Sequence, residues 1–359
     1  MSKKIVFTAG GTGGHIFPAI NLMKHFLTKN YKVLLITDKR GNNFIKHNLK
    51  FTSYVLKAGT PTNKNIIKKI LSLFIICNAI IRSVIILKKE KPNLIIGFGG
   101  YVSFPTSIAA KFFKLPLIIY ENNMVMGRTN KYLSKFSNKI LLSTNLTKGI
   151  PLKAKEKVHQ VGNILSKDFI NYSELENNID KLPFTILILG GSQGAEIFGK
   201  VIPPVIKKIK EEGYDISVNQ QCIANQKNII TEFYKKNKIK NYIFEFDENI
   251  LKVMSSSSLA ITRSGASTTA ELTQTVTPFI SIPLPNSIDN HQYLNAKYYE
   301  DKGCCWMLEE NNLNNETLFY LIMNAIKNKN ALENIKRNMK KYSSKNVYID
   351  IDKNIREFI

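Results

Sequence analysis

Apolar runs of three to six residues punctuate the chain, and between them apolar positions recur at three- and four-residue spacing. The runs lie at 5–8, 32–37, 94–96, 117–120, 140–143 and 185–189, then at 216–220, 242–246, 259–262 and 279–282. Several are apolar at almost every position. A strand with one wet face alternates, whereas a strand covered on both faces reads as a continuous run. Unbroken runs alternating with helical periodicity predict parallel sheets covered by helices, an α/β architecture.

The strand–helix units stop near 150–183, where a stretch rich in Asn, Glu and Ser (171–181) precedes Pro183. A second series opens at 185–189, and the two series begin alike. The first run leads into Gly10-Gly11-Thr12-Gly13-Gly14-His15, the second into Gly190-Gly191-Ser192-Gln193-Gly194. Strand, glycine turn, helix, twice over, predicts two doubly wound domains facing a central cleft, with ligands at the carboxyl ends of the strands. The expected domains are 1–163 and 164–339, with a last helix in 340–359 packing back on the first. The length of 359 residues agrees, since about 150 residues per domain gives roughly two.

Composition adds one unusual feature. Lys and Arg number 51 against 27 Asp and Glu, a formal charge of +24. Such a balance suits a nucleic acid, an anionic membrane or an acidic ligand; abundant Lys, Asn and Ile also fit a compositional background without any binding face. The four cysteines, Cys77, Cys222, Cys304 and Cys305, form no C-x-x-C pair and no disulfide framework, which favours a reducing compartment. The run after Lys3-Lys4 is too short for a signal peptide. The most hydrophobic stretch, 66–87, is interrupted by Lys68, Lys69, Asn78 and Arg82 and is not expected to span a membrane.

Four glycine- or serine-rich turns follow strands: 10–15, 97–101, 190–194 and 263–269. Glycine lets backbone approach a ligand, and a helix start offers unpaired N–H groups with partial positive charge, so these turns are candidate anion sites. None is a dinucleotide fingerprint, because Ile16 and Val102 stand where the last glycine of G-x-G-x-x-G belongs. Gly194–Gly199-Lys200 has P-loop spacing, but Val201 brings no hydroxyl for Mg²⁺. The one Asp-x-Asp triplet, Asp350-Ile351-Asp352, reads as a solvated helix face, and no His/Cys cluster has zinc spacing. No metal or cofactor is expected; charge on a leaving diphosphate falls to N–H groups and helix ends. Of the five histidines, His25 and His47 read as surface residues of helices. His291 sits in a polar turn that suits a plain loop or a hydrogen-bonding rim. His15, at a helix start in a glycine turn, is the candidate proton acceptor, with loop packing as the alternative.

The ordered set of these segments resembles the MurG family, the N-acetylglucosamine transferases of glycosyltransferase family 28 that form lipid II in peptidoglycan synthesis. The resemblance rests on Gly10–Ala19, Gly99-Gly100-Tyr101-Val102-Ser103, Glu121-Asn122-Asn123 with Thr129-Asn130-Lys131, and Val161-Gly162-Asn163. It continues through Gly190–Ala195, Arg263-Ser264-Gly265-Ala266 with Glu271, and His291-Gln292 with Asn295-Ala296. It implies a GT-B fold, two Rossmann-like domains, and metal-independent inverting transfer from UDP-N-acetylglucosamine to the 4-hydroxyl of undecaprenyl-pyrophosphoryl-MurNAc-pentapeptide (lipid I). Donor contacts implied in the second domain are Ser192, Asp247, Ala266, Ser267, Thr268, Thr269, Ala270, Glu271 and Gln292, with Glu271 on the ribose hydroxyls. From the first domain the resemblance implies Thr12, Gly13, Gly14 and Asn123 on the donor, Gly100, Tyr101 and Glu121 on the acceptor side, and His15 as base.

Two departures stand out. The family's Asn-Pro-Val-Arg is Asn163-Ile164-Leu165-Ser166 here, which removes a potential bidentate phosphate contact. The middle Gln of Glu-Gln-Asn is Asn122. Implied partners are the two substrates and an anionic membrane surface, met by the basic 66–91 segment if it is not a core helix, with other cell-wall synthesis proteins as candidates. The implied location is peripheral, on the cytoplasmic face of the bacterial inner membrane. Within the same fold the rivals are a glycolipid synthase and a UDP-sugar epimerase. A nucleic-acid-binding protein, which predicts Lys and Arg clustered with stacking aromatics on one face, is disfavoured, because the lysines are dispersed and the specific loops suit a nucleotide-sugar.

Overall fold

The computed structural model describes residues 3–45, 51–57, 59, 66–172, 183–191, 195–343 and 346–359. The chain divides into two compact units, one of residues 1–166 with 345–359, the other of 167–344.

The first unit runs β1 (Lys4–Thr8), α1 (Gly13–Leu27), β2 (Lys32–Thr37), α2 (Lys39–Asn42), β3 (Thr52–Val55) and α3 (Ile66–Glu90). It continues with β4 (Leu94–Gly97), α4 (Ser103–Phe112), β5 (Leu117–Glu121), α5 (Arg128–Leu133), β6 (Lys139–Leu142) and β7 (Val158–Gln160). Every strand pair is parallel, in the order β3-β2-β1-β4-β5-β6-β7. The central strands β1, β4 and β5 are buried along almost their whole length, as their unbroken apolar runs predict.

The second unit runs α6 (Lys167–Ile170), β8 (Phe184–Leu189), α7 (Glu196–Glu211), β9 (Ile216–Gln221), α8 (Ala224–Lys236), β10 (Lys240–Phe244) and α9 (Ile250–Ser255). Then come β11 (Leu259–Thr262), α10 (Ala266–Gln274), β12 (Phe279–Ser281), α11 (His291–Asp301), β13 (Cys305–Met307), α12 (Asn315–Lys327) and α13 (Lys329–Lys341). Its sheet is also parallel, ordered β10-β9-β8-β11-β12-β13. Both sheets thus reverse direction beside their first strand, between β1 and β4 and between β8 and β11. That reversal is the switch point of a doubly wound sheet, where the loops leave a crevice for ligands.

Three short strands escape the apolar-run pattern. β3 is polar and mostly exposed, β7 is only half-buried, and β13 is three residues long. Each sits at the edge of its sheet, where one neighbour and partial cover demand little hydrophobicity. β10 ends at Phe244, not at 246, because Phe246 is exposed and the chain turns at Asp247.

The final helix, α14 (Val347–Ile355), belongs to the first unit. It corrects two expectations. His25 is not a surface residue. It is buried, its ring stacks on Tyr348 at 4.6 Å, and its Nε2 lies 3.0 Å from Asp352 Oδ1. The Asp350-Ile351-Asp352 triplet is not a solvated face, since Ile351 is buried and Asp352 pairs with both His25 and Lys29. Burial opposes ionisation of Asp352, but the bonds from His25 and Lys29 outweigh it and hold its carboxyl below the usual range. Tyr348 Oη donates to Leu165 O at 2.5 Å. His47 lies outside the described residues.

Helix α3 also departs from expectation. Residues 67–90 are long and apolar enough to cross a membrane by length and composition. Lys68 and Lys69 fall at the first turn, so Arg82 is the one charge within 70–87. A stripe at Ser72, Ala79, Ser83, Ile86 and Leu87 is buried, and Ser83 Oγ approaches Thr106 Oγ1 of α4 at 3.4 Å. The other faces leave Ile67, Ile70, Leu71, Leu73, Phe74, Ile81 and Ile85 exposed, Phe74 by 69%. A core helix under the sheet would bury them.

Candidate functional site

In the first unit, the turns after β1 and β4 meet backbone to backbone. Gly100 has φ +77°, and a Cβ there would stand 2.5 Å from Gly10 O, so neither shape nor space admits a side chain. Asp38, at the end of β2, braces the first turn: its Oδ1 accepts from Gly11 N at 3.2 Å and from Gly41 N at 2.7 Å. Dinucleotide-binding sheets commonly aim a carboxylate from this region at a ribose. Here it is spent on backbone. Ser103 Oγ ties the second turn to the sheet by donating to Thr8 O and Gly99 O.

Helix α1 starts at Gly13, with Thr12 as N-cap in extended conformation and without a side-chain cap bond. Its first-turn N–H groups and partial positive charge are therefore uncapped by any side chain. His15 lies half-buried on this turn, its ring edge against Gly99. Asn122 Nδ2 donates to Gly14 O at 2.9 Å, so the shorter side chain in place of the family's Gln still holds the α1 start.

Glu121, expected on the acceptor side, is 1% exposed. Its Oε1 accepts from Asn123 N at 3.1 Å and Asn123 Nδ2 at 2.9 Å; its Oε2 accepts from Gly127 N at 2.9 Å and Asn130 Nδ2 at 3.0 Å. A carboxylate saturated by four donors organises the 121–130 loop and has little left for a substrate. Asn123 is half-buried at the loop's rim, and Tyr101 is exposed on the neighbouring turn.

The second unit repeats the design. Gly191 has φ +78° after β8; Ser192 lies outside the described residues. After β11, Asn295 Nδ2 donates to Ser264 O at 3.0 Å and Ser264 Oγ meets Ser281 Oγ at 2.7 Å, fixing the turn that launches α10. Arg263 does not reach out to a phosphate. It is buried, ion-paired with Glu310 and laid over the Phe198 ring.

Helix α10 begins after Gly265, again without a side-chain cap, and Ser267 Oγ in its first turn is buried with no hydrogen-bond partner. An uncapped helix start with an unsatisfied hydroxyl is suited to an anion. Thr268 is half-exposed beside it. Thr269 and Ala270 turn inward, and Thr269 Oγ1 bonds to Gly265 O and Ala266 O, so these two offer backbone only. Glu271 stands at the end of the turn, half-buried. Desolvation pushes its carboxyl up to about 8, well above the usual carboxylate range.

Gln292 Oε1 accepts from Leu284 N at 3.1 Å, which leaves its amide nitrogen to donate. Asp247 accepts from Tyr242 Oη and Asn249 N, shaping the turn after β10. Among the described residues no group of three or more His, Cys, Asp or Glu is arranged to hold a metal.

Two family descriptions cover most of the chain. The glycosyltransferase family 28 N-terminal domain matches residues 5–142 and its C-terminal domain matches 185–350. The chain belongs to glycosyltransferase family 28. Similar proteins match over nearly their whole length. A Pelagibacter ubique protein is 34% identical over 355 residues, covering 98% of this chain and 97% of its own. A Rickettsia bellii protein is 35% identical over 344 residues, covering 94% and 95%. Both carry the name UDP-N-acetylglucosamine–N-acetylmuramyl-(pentapeptide) pyrophosphoryl-undecaprenol N-acetylglucosamine transferase. The Acinetobacter baumannii MurG crystal structure superposes with a TM-score of 0.78 at 24% identity, covering 99% of each chain. Family 28 membership and that likeness give the fold as GT-B, built from two Rossmann-like units.

The sequence singled out the loops, and the structure brings His15, Gly99, Gly100 and the 121–130 loop together. What sequence reasoning missed are the braces. Asp38 gave no signal beyond following an apolar run, and Asn130 and Asn295 stood in quoted motifs without a role.

Proposed function

We propose that the protein transfers N-acetylglucosamine from UDP-N-acetylglucosamine to the 4-hydroxyl of lipid I, giving lipid II. The observation that carries this reading is the 34–35% identity, end to end, with proteins named for that one reaction. The rival glycolipid synthase and epimerase readings have no comparable support.

The second unit holds the donor. The α10 start, with the N–H groups of Ala266–Thr268 and the Ser267 hydroxyl, receives the diphosphate and stabilises the charge that grows on it as UDP leaves. Glu271 takes the ribose hydroxyls, Gln292 donates to the sugar, the Asp247 turn meets the uracil, and Ser192 joins the diphosphate contacts. From the first unit, Thr12, Gly13 and Gly14 at the α1 start close on the donor sugar together with Asn123, while Gly100 and Tyr101 lie on the acceptor side.

The displacement is inverting. The acceptor oxygen bonds to the anomeric carbon, the carbon–oxygen bond to the diphosphate breaks, and UDP departs with the electron pair. His15 removes the hydroxyl proton. Because its carboxylate is saturated, Glu121 serves by holding Asn123 and Asn130.

Helix α3 delivers this soluble machinery to its lipid-linked acceptor. Its exposed Ile, Leu and Phe side chains enter the acyl boundary of an anionic leaflet, and Lys68, Lys69, Arg82, Lys88, Lys89 and Lys91 stay at headgroup level. That makes the protein peripheral, on the cytoplasmic leaflet, where other cell-wall synthesis proteins are candidate neighbours. The deciding assay is UDP release with lipid I and, separately, with diacylglycerol. Turnover with lipid I is expected; turnover with diacylglycerol alone would overturn the reading.

A further inference from the structure

The imidazole of His15 and the side chain of Asn130 converge on one point. A Cβ built on Gly99 would stand 3.2 Å from His15 Cε1, 3.4 Å from His15 Nδ1 and 3.4 Å from Asn130 Nδ2. Glycine at 99 therefore keeps open the space between the ring edge and the amide. Asn130 is 1% exposed, and its amide orientation is fixed by two donated bonds, Nδ2 to Tyr120 O at 3.0 Å and to Glu121 Oε2 at 3.0 Å. With both amide hydrogens directed at acceptors, the oxygen must be the other atom. That oxygen, Asn130 Oδ1, is buried and has no hydrogen-bond partner. A native structure rarely leaves a buried acceptor unmatched without a reason.

We propose that Asn130 is a positioning residue for His15: its Oδ1 accepts the Nδ1 proton of the neutral imidazole in the conformer that reacts. The consequence is a choice of tautomer. A neutral ring carries one proton, and the partner of one nitrogen decides which nitrogen stays basic. Held at Nδ1, the proton leaves the Nε2 lone pair to take the acceptor's hydroxyl proton. As the oxygen–carbon bond forms and UDP leaves with its electron pair, the ring becomes imidazolium, and Asn130 Oδ1 keeps its bond to Nδ1–H throughout. The extra proton then passes to water. A neutral amide performs this task while adding no charge that would lift the ring's basicity far from neutrality. Glu121, behind Asn130, fixes the amide and so acts one step further out. The proposal rests on the reading of His15 as the base.

The test uses full-length protein with ¹⁵N-labelled histidine, UDP and lipid-linked acceptor present. In the unsubstituted protein the neutral His15 signal is expected as Nδ1–H, with Nε2 unprotonated. In Asn130→Ala the signal should shift toward Nε2–H. Turnover should fall on the order of 10- to 100-fold, as when a partner that orients a histidine is removed, while the donor KM stays within about twofold, a split that a general loss of structure does not produce. An Nε2–H tautomer in the unsubstituted protein overturns the proposal, and so does an unchanged Nδ1–H signal in Asn130→Ala. If Asn130→Ala does not fold, the first spectrum decides alone. Full turnover in His15→Ala removes the base itself and this proposal with it. A wrong tautomer beside an inactive His15→Ala removes only the role of Asn130.

Discussion

His15 and Glu271 are the two titratable side chains on which the proposed chemistry turns, and they make separable demands. His15→Ala should lower kcat by about two to four decades, the range for loss of a general base, while UDP-N-acetylglucosamine binding by calorimetry survives; near-normal turnover would refute the assignment. Glu271 makes a pH prediction. Its folded-state value, about 8, lies above the unfolded one, so the group weakens the folded protein as pH rises toward 8. Ribose hydroxyls that donate to the carboxyl favour its ionised form, so binding below pH 8 must expel a proton. Donor KM should therefore fall as pH rises from 6 to 8, by at most about tenfold per unit, then level off. In Glu271→Gln the profile should be flat and the affinity weaker. A KM equally pH-dependent in both proteins would exclude the contact. The glycine turns and the place of His15 at a helix start could be read from sequence because both are local features. The braces could not: Gly11 to Asp38 spans 27 residues and Ser264 to Asn295 spans 31, and nothing local to an Asp or Asn says what it will hold.

Strands and helices were readable where burial is two-sided and not where it is partial. The unbroken runs of β1, β4, β5 and β8 announce central parallel strands, whereas β3, β7 and β13 carry too little apolar surface at the sheet edges to do so. Helix α3 is the reverse case. Its composition is plain in the sequence, but only packing shows that one stripe is used inside the protein and the rest is left outside. Exposed Ile67, Ile70, Leu71, Leu73, Phe74, Ile81 and Ile85 make a patch that a soluble monomer seldom carries without a partner. Co-sedimentation with anionic vesicles is expected, and it should weaken between low and physiological salt as the Debye length shortens from about 30 Å to about 8 Å. Phe74→Glu with Leu71→Glu, both exposed and away from the α4 contact, should lower vesicle binding while turnover on detergent-solubilised acceptor persists. Binding indifferent to lipid charge would remove the electrostatic part, and binding indifferent to both glutamates the apolar part.

For the whole chain, the +24 charge has a narrower meaning than it first offered. The turns proposed to bind anions use helix starts, glycine backbone and a serine hydroxyl, and Arg263, in the turn before α10, is committed to Glu310. Most of the basic excess is therefore compositional background, and the lysines and arginine around α3 are the part with a stated task. The division into two units gives a last test that does not depend on turnover. If UDP is held by the second unit, it stabilises that unit by mass action, about 2.7 kcal/mol at a hundredfold excess over Kd. Hydrogen exchange read by mass spectrometry should then show slower exchange in peptides covering 259–275, where β11 leads into the uncapped α10, and in those around 240–250. Peptides covering β1, β4 and β5 lie in the other unit and should exchange as before, because UDP alone lacks the sugar on which Asn123 and the α1 start are proposed to act. Protection confined to the first unit would reverse the assignment of donor and acceptor sides. Protection absent from 259–275 would leave the buried Ser267 hydroxyl without the diphosphate that explains it.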